Sequence, residues 1–148
     1  MADSQDRDSI AAWFARWSRL VAAVDFAPAR ALFADDVAAF GTFQHHLRGL
    51  DALEAEQWRQ VWPTIEDFRF EIDTLVAEIS PDRLMAYGAI MWSSIGLGED
   101  GSRFDRPGRC TVVLRRGSVD APWQGIHTHF SLGRGVPQKS HGKRKPQS

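Results

Sequence analysis

The chain predicts an α+β domain in which a curved antiparallel sheet wraps around three N-terminal helices. Three observations carry that expectation. Apolar residues recur at three- and four-residue steps through the first third of the sequence; from Ile65 onward the period becomes two; and Gly-, Pro- and Asp-rich breaks separate the later runs. With 148 residues, 43% of them apolar and 25% charged, the chain suits one domain with one hydrophobic core.

Ile10, Trp13, Phe14, Trp17, Leu20, Val21 and Val24 form one stripe of a long first helix. After Asp25-Phe26, Pro28 fits the first turn of a short second helix that turns Leu32 and Phe33 inward and ends at Asp35-Asp36. Val37 to Phe43 reads as the first strand. Gly49-Leu50-Asp51 then opens a third helix carrying Leu53, Trp58, Val61 and Trp62, which Pro63 stops. Phe68, Phe70 and Ile72 alternate with Arg69, Glu71 and Asp73 in a strand with one wet face. Leu84 to Ile95 is apolar on both faces. Gly96 to Arg103 makes a hairpin loop, a further strand runs through Cys110 to Leu114, and Trp123 to Leu132 forms the last strand. Residues 8–133 make up the domain. Residues 134–148, with Lys139, Lys143, Arg144 and Lys145, are expected to be a disordered basic tail.

Composition excludes several classes of function. A formal net charge of −1 gives no electrostatic footprint for nucleic acid, and no apolar run is long enough to span a membrane. The acidic, polar start Met-Ala-Asp-Ser-Gln-Asp-Arg-Asp is unlike a secretory signal, so a cytoplasmic protein is expected. The single cysteine, Cys110, lies in an apolar strand and reads as a buried, inert thiol. Six Trp and nine Phe are the unusual feature, suited to a core, an apolar pocket or a dimer face. A sheet apolar on both faces calls for a covering partner, and a homodimer through the sheet is expected.

The last strand holds the chemical candidates. His127, His129 and Ser131 share one face, while Ile126, Thr128, Phe130 and Leu132 share the other. Neutral imidazoles exchange protons near pH 7, so His127 and His129 are the candidate general bases, although a structural role at the sheet surface or dimer seam suits them better. Because Ile126, Thr128 and Phe130 look like cavity-lining residues, the histidines face outward if that row lines the pocket. Arg109 is the candidate anion holder, and Tyr87, Thr111, Thr128 and Phe130 the orienting wall. Trp58, Trp62 and Trp92, with Tyr87, offer flat surfaces for a small apolar or aromatic ligand. His45 and His46 are adjacent and point apart on an extended strand, so neither a metal nor any other cofactor is expected. Ser93 and Ser94 lack a nucleophile elbow, and Asp35-Asp36 and Glu99-Asp100 suit turns.

The element order, together with Arg109-x-Thr111 and Trp123-x-x-x-His127-x-His129-x-Ser131, resembles the SnoaL-like branch of the nuclear-transport-factor-two-like superfamily. The resemblance implies a cystatin-like α+β barrel, an open-ended cone with a small-molecule pocket that usually dimerises through its sheet. It does not imply one activity. Ketosteroid isomerases in this superfamily use a carboxylate base on an early strand and a Tyr and protonated Asp oxyanion pair, whereas here Val37 to Phe43 carries no acid and Tyr87 is the only tyrosine. Phe130 and Thr111 stand where the kinase association domains carry arginines, which implies a more apolar pocket. Two readings follow: a small-molecule-binding protein of unassigned activity, which as an enzyme would be a cofactor-free isomerase, cyclase or hydrolase acting on an apolar metabolite, and a non-catalytic dimerisation or ligand-sensing module.

Overall fold

A computed structural model describes residues 4–147. The first helix, α1 (Ser4–Ala23), buries Ile10, Trp13, Phe14, Trp17 and Val21, the predicted stripe. It ends in a Schellman-type closure: Val24, at a φ of 54°, donates its amide to the Val21 carbonyl, and Asp25 donates to that of Leu20. Helix α2 (Phe26–Arg30) follows, with Pro28 inside its single turn.

Strand β1 (Phe33–Phe40) begins four residues earlier than the pattern predicts. Phe33 and Ala34 are both buried, so the strand enters through a position wrapped on both sides, which the apolar count assigned to a helix. A two-residue strand β2 (Leu47–Arg48) pairs with it. The third helical stretch is one run of changing pitch: α3 (Leu50–Leu53), a π-helical turn (Glu54–Trp58), α4 (Arg59–Val61) and a 3-10 turn (Trp62–Thr64).

Four long strands complete the sheet, β3 (Glu66–Ile79), β4 (Met85–Leu97), β6 (Gly108–Arg115) and β7 (Gln124–Leu132), with a short β5 (Arg103–Asp105), which starts at the last residue of the predicted hairpin loop, pairing with β4. The strand order is β2-β1-β7-β6-β4-β3. One pairing departs from the antiparallel expectation: β1 runs parallel to β7, since the helices return the chain to the same end of the sheet before the last strand arrives. Bulges in β3, between Glu66 and Arg69 and between Glu71 and Val76, bend the sheet around α1.

The inner face closes on an aromatic core. Trp17 meets Phe33, Phe70 and Phe130 with ring centres 4.9 to 5.5 Å apart, and Trp62 stacks between Phe26 and Trp58. At one end, Asp6 is only 2% exposed and is gripped by Arg83 and Arg116, while Arg116 lies 3.9 Å from the centre of the Trp123 ring. Among the described residues, no helix is long and apolar enough to cross a membrane.

The basic segment after Gly133 forms no helix or strand, and its residues 138–147 lie against the domain through hydrogen bonds. Its amides at His141, Gly142, Arg144 and Gln147 donate to the carbonyls of Leu97, Thr64, Pro63 and Val24. Arg144 adds side-chain bonds to the carbonyls of Ile65 and Ala22. Composition sees charge and turn formers; it does not see carbonyls left open at helix ends and strand ends elsewhere in the fold. Ser148 lies outside the described residues.

Candidate functional site

The ten residues singled out in the sequence divide evenly between the two faces of the sheet. Trp58, Trp62, Trp92, Thr128 and Phe130 are inside. Tyr87, Arg109, Thr111, His127 and His129 are outside, in three adjoining rows fixed by the register: Met91–Arg109–Ser131, Ala89–Thr111–His129–Phe40 and Tyr87–Val113–His127–Ala38. The inner row of β7 is the apolar one, because Thr128 pairs with fully buried Ala39 and Phe130 packs on Trp17 and Trp92.

The two histidines therefore do not reach the cavity. His127 Nδ1 donates to the Ala38 carbonyl at 2.9 Å, which fixes the proton on that nitrogen, and both rings sit edge-on to Phe40 at 5.1 to 5.4 Å. Arg109 is spent in the same way, its Nε donating to Ser131 Oγ on the outer surface. Tyr87 is 41% exposed there. Alternation separates the two rows of β7 in the sequence; the curvature that decides which row is concave comes from α1 packing on β3 and β4.

Inside, the cone is largely filled by its own aromatic rings. A cavity of about 30 Å³ remains, bordered by Gln57, Trp62, Phe68, Trp92, Arg106 and Phe130. That is room for a water molecule or two. It shares Val61 and Arg106 with a vestibule of about 510 Å³, lined also by Phe43, Gln60, Thr64, Gln138, Lys139 and Ser140, a volume that accommodates a small organic molecule.

Arg106 stands at the junction of the two spaces. It is 2% exposed, its guanidinium lies 5.8 Å from the Trp92 ring centre, and its Nη2 donates to the Gln138 carbonyl at 2.9 Å and, at 3.5 Å, to Thr42 Oγ1. Its Nε has no partner. None of the ion pairs among the described residues includes it. A separate surface depression that also touches Arg106 carries Asp67 and Asp105, and neither forms an ion pair with it. Burial pushes the Arg106 guanidinium down to about 10, so it keeps its charge at neutral pH while its hydrogen-bond partners, Thr42 and the Gln138 carbonyl, are neutral. Beside it, Gln57 Oε1 is also buried without a partner. The π-helical turn that carries Gln57 places it against Gly41, where a Cβ would come within 2.8 Å of that oxygen.

Neither Arg106 nor Gln57 was singled out from the sequence. A signal for Arg106 was present: Cys110, Val112 and Leu114 form the inward row of β6, and counting back by twos through Gly108 arrives at Arg106, whereas Arg109 is odd to that row. Pro107 interrupts the apparent strand and hides the parity.

The sequence profile of the SnoaL-like domain matches residues 6–119. No functionally curated protein matches the chain. Among solved structures, a ketosteroid isomerase-like protein from Erwinia carotovora atroseptica superposes with a TM-score of 0.73 at 18% identity, covering 88% of this chain and 98% of its own. An uncharacterised protein with a cystatin-like fold from Caulobacter vibrioides gives 0.70 at 16% identity, covering 88% and 92%. The association domain of C. elegans CaMKII gives 0.65 at 14% identity, covering 86% and 95%. At these identities the likeness is one of fold.

Proposed function

Because the chain belongs to the SnoaL-like domain family, we propose that it is a small-molecule-binding protein whose ligand is an apolar or aromatic organic acid. The carboxylate would pair with Arg106, and the body of the ligand would lie in the vestibule against Phe43 and Val61. One observation carries this reading: a buried guanidinium that forms no ion pair among the described residues borders the vestibule, with its Nε unpartnered. Leaving such a charge uncompensated costs stability, and a ligand carboxylate removes that cost on binding. No Asp, Glu, His, Tyr or Cys borders the cavity or the vestibule among the described residues, so the geometry supports binding rather than proton transfer. An isomerase reading taken from the ketosteroid isomerase-like neighbour lacks a carboxylate base among the residues that line either space.

Titration with 1-naphthoate and with the uncharged 1-naphthamide tests the proposal. The carboxylate should bind at least about tenfold more tightly than the amide. Arg106→Met should remove that preference while leaving the melting temperature unchanged or raising it by a few degrees, about 2–4 °C per kcal/mol recovered. His129→Gln, on the outer face, should bind like wild type. Undiminished naphthoate binding by Arg106→Met would sink the idea.

The reading extends to assembly. Ile72, Val76, Met85, Tyr87 and Met91 are all at least 36% exposed along β3 and β4, an apolar stretch unusual for water-facing sheet. We assign it to a homodimer formed through the outer faces of two sheets, with the Phe40, His127 and His129 cluster at its border.

A further inference from the structure

We propose that residues 138–147 are a displaceable strap that seats its own Gln138 carbonyl on Arg106 and must lift before a ligand acid can take that place. The inference rests on the Arg106 site described above and adds the device that controls access to it. The strap lines the vestibule with Gln138, Lys139 and Ser140 and runs on to Val24. Gln138 Nε2 donates to the Thr42 carbonyl at 2.8 Å, its carbonyl accepts from Arg106, and Gln147 N donates to the Val24 carbonyl at 2.8 Å. Between these ends Ser140 is a double fastener: its hydroxyl donates to the Thr64 carbonyl and accepts from Leu97 N at 2.8 Å. Arg144 is the latch, held by the Ile65 and Ala22 carbonyls.

Two features make this segment a gate rather than a fixed wall. It has no helix or strand of its own, so it is tied down only by isolated bonds that can break in succession. The bond it makes to Arg106 is from a neutral carbonyl, which gives the guanidinium a single acceptor and no countercharge, whereas a carboxylate gives two acceptor oxygens and the charge. An arriving acid therefore outcompetes the strap for Arg106 once the strap is open, and the fraction of time it is open scales the apparent affinity.

Stopped-flow tryptophan fluorescence with 1-naphthoate tests the gate in wild type, Arg144→Ala and Ser140→Ala, each checked for folding by circular dichroism. Loss of a fastener should raise the association rate and the affinity about fivefold or more, with a little-changed dissociation rate. Binding in all three proteins at one association rate overturns the strap and leaves the Arg106 site standing. Binding that appears only in the two variants supports the strap. Absence of binding in every protein overturns both. Should Arg144→Ala fail to fold, Ser140→Ala decides alone.

Discussion

Asp6 shows how much one buried residue can hold. Arg83 donates to it through Nε at 2.6 Å and Nη2 at 3.0 Å, and Arg116 through Nη2 at 2.9 Å. The Arg83 bond, with that of Arg116, outweighs burial and draws the Asp6 carboxyl down to about 2 from its ordinary 3.8. A carboxyl depressed on folding stabilises the native state fully above its unfolded value, and this stabilisation fades as the pH falls from about 4 through 2. The shift corresponds to roughly 2 kcal/mol. Urea unfolding of wild type should therefore lose about that much more stability between pH 5 and 2 than Asp6→Asn does, and the variant should be less stable at pH 7 by about 3 kcal/mol because Arg116 is left buried and unpaired. Parallel pH slopes for the two proteins would disprove the assignment. None of this partnership was legible in the sequence, where Asp6 belongs to an acidic start and its partners lie 77 and 110 positions away.

Elements depend on close contacts that a pattern of apolar and polar letters cannot express. The predicted stripe of α1 is the buried face, but its seat on the sheet depends on Gly88 in β4, where an added Cβ would fall 2.5 Å from Phe14 Cε2 and 3.3 Å from Leu75 Cδ1. Phe14 cannot move aside easily, since Phe70 and Trp13 hold its ring at 5.1 to 5.2 Å. Gly88→Ala should accordingly cost about 1–3 kcal/mol in urea unfolding, as overpacking of a dense core does. Gly117→Ala, with nothing within 4 Å, should stay within about 0.5 kcal/mol of wild type. If the two variants unfold alike, the helix is seated by something other than this contact. Strand β7 illustrates the same limit. Its alternation was plain in the sequence, and so was the condition that an apolar lining would turn the histidines outward.

Over the whole molecule, an inner face closed around α1 leaves an outer face that is partly apolar and uncovered. A homodimer through that face predicts that sedimentation velocity finds two chains per particle for wild type and one for Met91→Lys, since Met91 lies 44% exposed within it and a lysine there would face its symmetry mate. A monomeric wild type at about 100 μM would remove the dimer from the account. The sequence by itself determined the α+β class, the order of the long elements, the aromatic core and the division of β7 into two rows, because these follow from local periodicity and turn chemistry that neighbouring residues impose on one another. Only the tertiary structure decided which row faces the cavity, that Arg106 rather than Arg109 is the buried cation, and which carbonyls the basic segment bonds to. Those depend on the sense of the sheet's curvature and on hydrogen-bonding groups brought together from distant regions of the chain, quantities that no stretch of sequence contains.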